Sequence, residues 1–83
     1  MSKVIAEFYP TAGHGYMRVS HFDMMRVGVS PSGYSPRDTT DVYLEEDVDA
    51  QVFLQTAYEK GIAVQVLQMQ QDSEMESYIE SLF

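Results

Sequence analysis

The stretch 47–67, DVDAQVFLQTAYEKGIAVQVL, decides the fold. Ala50, Phe53, Leu54, Ala57 and Tyr58 fall at i, i+3, i+4, i+7 and i+8, which lays one apolar stripe along a helix over 47–60. Glu46, Asp47 and Asp49 crowd its start, where carboxylates complement the positive end of the helix dipole, and Asp47 is the expected N-cap. Lys60 falls in the last turn and Gly61 is the expected C′ residue. Ile62, Val64 and Val66 then alternate with Ala63, Gln65 and Leu67, the period of a strand. The link between the two is so short that this strand must run antiparallel to the helix and against it.

Working outward, Lys3–Tyr9 alternates around Val4, Ala6 and Phe8, and Pro10 closes it as a strand. Gly13-His14-Gly15 makes a turn, and Tyr16–Ser20 is a second short strand. The apolar run Phe22–Val29 reads as a third strand of an antiparallel meander. Ser30–Thr40, SPSGYSPRDTT, is a loop, and its two Ser-Pro steps keep it extended. Asp41–Glu45 is a further strand. On the other side, Ser73 and Glu76 form a capping box, and Met75, Tyr78, Ile79, Leu82 and Phe83 continue at helical spacing. The expected fold is one α+β domain over 1–83: a small antiparallel sheet of three to five strands with two helices packed on one face.

The chain has 83 residues and 45% hydrophobic content, enough for one core and little room for a deep cleft. Without cysteine there is no disulfide and no thiolate metal site. No stretch approaches the roughly 20 apolar residues of a membrane span, and MSKVIAEFYP does not read as a signal peptide. A soluble, cytoplasmic protein is the expectation.

Charge is segregated. Residues 1–37 hold four bases and two acids, whereas residues 38–83 hold one base, Lys60, and eleven acids; the net charge is −8. Phosphate contacts need clustered Lys and Arg, so direct binding to DNA or RNA is not expected. A basic partner is favoured, because opposite fields steer encounter.

The enzymatic readings fail one by one. Gly28-Val29-Ser30-Pro31-Ser32 begins like a nucleophile elbow but has Ser32 where the second glycine belongs. His14 and His21 have no third ligand at a recognised spacing, and the acidic run 45–49 lacks the order and the glycine of a Ca²⁺ loop. The chain is therefore read as no enzyme, with no cofactor and no metal.

What remains is an acidic surface. Asp41, Glu45, Glu46, Asp47 and Asp49 fall close together across a strand end and a helix start, and Glu74 and Glu76 lead a second cluster that continues to Glu80. Strand residues two apart lie about 6–7 Å apart and helix residues four apart about 6 Å, close to the pitch of phosphates along a nucleic-acid strand. Carboxylates displayed at that pitch can occupy a groove built for DNA or RNA. Tyr34, in the Pro/Gly/Ser loop, is the tyrosine expected to be exposed and to touch a partner, whereas Tyr58 and Tyr78 are expected in the core.

His14-Gly15-Tyr16-Met17-Arg18-Val19, the loop ending Tyr34-Ser35, and Tyr43-Leu44-Glu45-Glu46-Asp47-Val48-Asp49 followed by Phe53 resemble a family of small tailed-phage and prophage proteins. The resemblance covers most of 13–61; Tyr16 stands where a tryptophan is common and Val48 where a cysteine is common. That family carries no assigned activity, so it supplies no catalytic residues. It implies a phage accessory protein, and small acidic ones are often inhibitors of host defence, anti-CRISPR proteins among them. The expectation is a stoichiometric inhibitor of a host nucleic-acid-targeting complex, a CRISPR effector or another basic ribonucleoprotein, through a DNA-mimicking surface. The alternative is a regulatory or structural phage module that binds a host polymerase, a repressor or itself.

Overall fold

A computed structural model describes residues 3–83 of the chain. In order these residues form β1 (Lys3–Pro10), β2 (Gly15–Ser20), α1 (His21–Val27), β3 (Asp41–Glu45), α2 (Asp49–Glu59), β4 (Ala63–Gln68) and α3 (Ser73–Ser81). The strands make one sheet in the order β3-β2-β1-β4, so the α+β class and a small sheet with helices hold.

Three strands pair antiparallel, with Glu7 opposite Arg18 and Arg18 opposite Tyr43. The fourth does not: β4 joins β1 in parallel, Val4 level with Val64 and Ala6 with Val66, and the sheet is mixed rather than antiparallel. The cause is α2. A helix between two strands carries the chain back to its starting end, so β4 runs in the direction of β3, which is also the direction of β1.

The helices do not share one face. Val4, Ala6, Met17, Val19, Val42 and Leu44 pack with Met24 and Val27 of α1 and with Ala50, Phe53 and Ala57 of α2. The intervening residues Tyr16 and Tyr43 point to the opposite face and pack with Ile79 of α3, flanked by Tyr9, Met75 and Leu82. Because β2 and β3 carry bulky side chains at both alternations, both faces need cover, and α3 supplies the second layer. Its aromatic contacts are edge to face: Tyr43 with Tyr78 at 6.1 Å and Tyr16 with Phe83 at 6.4 Å between centroids.

The expected third strand over 22–29 is α1 instead. The Ser20 side chain caps it by accepting from the Asp23 N–H at 3.0 Å, Arg26 pairs with Asp23 one turn earlier at 3.0 Å, and Gly28 ends it in the left-handed region at φ 84°. Met24 and Val27 are buried at i, i+3 while Phe22 and Met25 face solvent, a helical and not a strand alternation.

Two helix starts also differ from expectation. α2 begins at Asp49, and Asp47 caps nothing; the Glu45 carboxylate accepts instead from the Asp47 and Val48 N–H groups at 2.6 and 3.0 Å. In α3 the cap is Asp72, accepting from Glu74 and Met75 N–H, in place of a Ser73–Glu76 box. The C-terminus of α2 is as expected: Ile62 N–H reaches Ala57 O and Gly61 N–H reaches Tyr58 O, with Gly61 as C′. Lys60 Nζ donates to Val27 O at 2.6 Å and ties this end to that of α1. Tyr58 and Tyr78, expected in the core, are 81% and 41% exposed. Among the described residues no helix is long and apolar enough to cross a membrane.

Candidate interaction surface

The acidic residues divide by what they already hold. Asp49 works inward. It is 7% exposed, and its carboxylate accepts from the Ser32 N–H at 2.8 Å, the Ser32 hydroxyl at 2.7 Å and the Ser35 hydroxyl at 2.5 Å. Burial opposes its charge, but these hydrogen bonds outweigh burial and hold the carboxyl below its ordinary range. Ser35 in turn accepts from Glu45 N–H at 2.9 Å, so Asp49 is the anchor of the 30–37 loop and not part of a display surface.

Glu46 is committed to the β1–β2 turn. Its carboxylate accepts from Gly15 N–H at 2.7 Å, and its own N–H donates to Gly15 O at 3.1 Å. A Cβ at that position would overlap the Phe8 ring, so any other residue would displace it. Asp41 belongs to a row across the sheet, with Arg18 Nε 3.7 Å from Asp41 and 3.3 Å from Glu7. Asp38, not among the expected contacts, is bonded by the Tyr78 hydroxyl of α3 and by the N–H groups of Asp41 and Thr40, and these hold it well below the carboxylate range. Tyr43, between them, is pushed up to about 12 by burial and by the Asp38 charge.

Asp47, Glu74 and Tyr34 are exposed, and Glu76 is half-buried. They do not form a single patch. Glu74 and Glu76 sit in the first turn of α3, whereas the far end of that helix delivers Phe83 to Tyr16. The α3 carboxylate whose charge is felt at Tyr16 is Glu80: burial, then Glu45 and Glu80, raise the Tyr16 hydroxyl.

Three of the expected contact residues, Tyr34, Glu45 and Asp47, line one open cavity of about 470 Å³. Tyr16, Val48, Phe83 and His14 complete its wall. Tyr16, Val48 and Phe83 were not foreseen as site residues. Phe83 lies at helical spacing with Ile79 and so reads as core, yet it is 65% exposed, and Val48 is 61% exposed. The β1–β2 turn and the 46–48 turn also bring His14 together with Glu45 and Asp47, their donor atoms all within 4.8 Å of one another. Spacing along the chain gave His14 no such companions.

Electrostatically the cavity mouth is strained. The Glu45 charge, more than any other influence, raises the Asp47 carboxyl, and no Lys or Arg among the described residues pairs with either. Two like charges beside three aromatic rings make a place that a cation would relieve. Comparison with known protein families, with curated proteins and with solved structures finds no match to this chain.

Proposed function

We propose that the chain is a non-catalytic phage protein that occupies a basic nucleic-acid-binding surface on a host complex and so inhibits it stoichiometrically. One observation carries this reading: segments 38–49 and 72–80, distant in sequence, meet on the α3 side of the sheet. Glu45 and Glu80 act on the same Tyr16 hydroxyl, and Asp38 is bonded by Tyr78. Carboxylates gathered from two elements around rigid aromatic rings can follow a groove lined by Lys and Arg, and such complementarity governs both encounter and fit. The anti-CRISPR kind of inhibitor is the instance that the phage resemblance favours.

The test uses positions that hold no backbone group. Glu45 and Glu46 are unsuitable, since each satisfies N–H donors, whereas Asp47 and Glu80 are exposed. Asp47→Lys with Glu80→Lys should weaken the complex with a basic, nucleic-acid-binding partner by about 2–5 kcal/mol, while the Tm barely moves. The wild-type complex, recovered from bacterial lysate and identified by mass spectrometry, should dissociate steeply with salt and yield to the partner's own nucleic acid. If the double variant inhibits as well as wild type while Tyr34→Ala abolishes inhibition, recognition lies in the 30–40 loop and the acidity serves solubility.

A second reading, a module that pairs with another copy of itself, is favoured by β4. This edge strand, AVQVLQ, carries no charge, pairs on one side only, and leaves Val66 and Leu67 41% and 38% exposed. Unguarded edges of this kind add strands from other chains. Sedimentation that shows a monomer throughout the micromolar range would remove it.

A further inference from the structure

The cavity at the mouth of the 46–48 turn has features that acidity alone does not account for. Tyr34 and Phe83 offer it broad ring surface, being 75% and 65% exposed, whereas the other exposed rings, Phe22, Tyr58 and Tyr78, do not line it. Exposed rings gathered at one concavity mark a binding surface. Tyr16, 7% exposed, lines the same cavity, and no group among the described residues hydrogen-bonds its hydroxyl. The ring is covered while the hydroxyl itself stays open to solvent, so its oxygen is free to accept from an incoming donor. Glu45 and Asp47 lie at the rim beside His14, unpaired with any Lys or Arg among the described residues.

We propose that this cavity receives a single arginine side chain from the partner protein, the guanidinium stacking on the aromatic wall and bonding Asp47, Glu45 and the Tyr16 hydroxyl. The assignment rests on the reading that the partner is basic. Among cations, the guanidinium alone is flat enough to lie on a ring and has five N–H donors in a fixed fork to share between carboxylates and a hydroxyl. A lysine ammonium is a strongly hydrated point charge that makes less of ring faces. A divalent metal would use His14, Glu45 and Asp47 but would leave the ring surfaces and the Tyr16 hydroxyl without a role.

The experiment is an NMR titration of the full chain with an acetylated, amidated glycine-arginine-glycine tripeptide. The same tripeptide with citrulline, which keeps the shape and loses the charge, is the control. The arginine peptide should give saturable shifts at the amides of residues 45–48 and the ring protons of Tyr16, Tyr34 and Phe83, with a Kd on the order of 1–10 mM. Citrulline should bind about tenfold more weakly. Phe83→Ala and Asp47→Asn should each weaken the response severalfold, while Glu74→Gln leaves it unchanged. Phe83 and Asp47 are both exposed, so both variants should keep the wild-type Tm.

Equal binding of citrulline, shifts spread evenly to Glu74 and Glu76, or an unchanged response in Phe83→Ala would overturn the assignment. Saturable zinc shifts at His14 without any response to the arginine peptide would overturn it in favour of a metal. The two proposals fail separately. Loss of partner capture in the Asp47→Lys, Glu80→Lys variant with no arginine binding leaves the acidic surface standing and removes the pocket. Arginine binding as expected, with a partner that resists salt and nucleic acid, does the reverse.

Discussion

Phe53→Ala is expected to lower the unfolding free energy by about 3–5 kcal/mol. Phe53 is wholly buried, and it joins α2 to the core that holds Val4 and Ala6 of β1, Met17 of β2 and Leu44 of β3. A domain of this size has only about 5–10 kcal/mol to lose, so the variant should show a much lower urea midpoint with little change in slope. Tyr58→Ala, on the same helix but 81% exposed, should stay within about 0.5 kcal/mol of wild type. If the two variants unfold alike, the α2 stripe is not the core and the layer assignment falls.

Asp49→Ala should be the costliest polar change, at about 3 kcal/mol or more. It removes a carboxylate that three donors share and leaves the Ser35 hydroxyl, itself 1% exposed, without an acceptor. The pH dependence gives an independent readout. The folded state holds Asp49 below its ordinary pKa, so the unfolded chain binds the more protons as the pH falls. The contribution is therefore complete above the unfolded carboxylate value of about 4 and is lost as the pH drops through the depressed folded value. Asp38, lowered first of all by the Tyr78 hydroxyl, adds in the same direction. Wild type should lose stability steeply below about pH 4, and Asp49→Asn should flatten that slope. Equal acid slopes in the two proteins would show that Asp49 is not the linked group.

The parts of the fold legible in the sequence are those whose periodicity is uncontested. Ala50, Phe53, Leu54 and Ala57 have one reading, and so does the alternation after Gly61. Residues 22–27 have two, because a run of Phe, Met and Val satisfies strand propensity while Ser20, Asp23 and Gly28 punctuate a helix. In the protein the punctuation prevails. The parallel β1–β4 pairing leaves no local trace, since its partners are joined only through the α2 crossover. The second layer was available in principle: Tyr16 and Tyr43 are large side chains on the alternation opposite Met17 and Leu44, and only a covered face tolerates both.

For the site, composition located the acids but not their duties. Nothing in the spelling of Glu45-Glu46-Asp47-Val48-Asp49 reveals that Glu46 grips Gly15, that Glu45 gathers the next two N–H groups, or that Asp49 turns inward to two serines. Those duties are set by partners up to thirty-one positions away. Tyr34 is exposed, as expected of its loop, whereas Asp47, expected to cap α2, is exposed and caps nothing.

The placement of β1 has a kinetic consequence. It lies between β2, its immediate successor, and β4, whose first residue Ala63 pairs with Lys3 across most of the chain. One side of β1 can zip into a hairpin within about 1–10 μs. The other side must wait until everything through residue 68 has left the ribosome and a long loop has closed, at an entropic cost that local contacts do not offset. The docking of β4 should therefore set the folding rate, and a nascent chain halted before residue 63 would carry its central strand as an open edge, the state in which this protein is most exposed to chaperones and to aggregation.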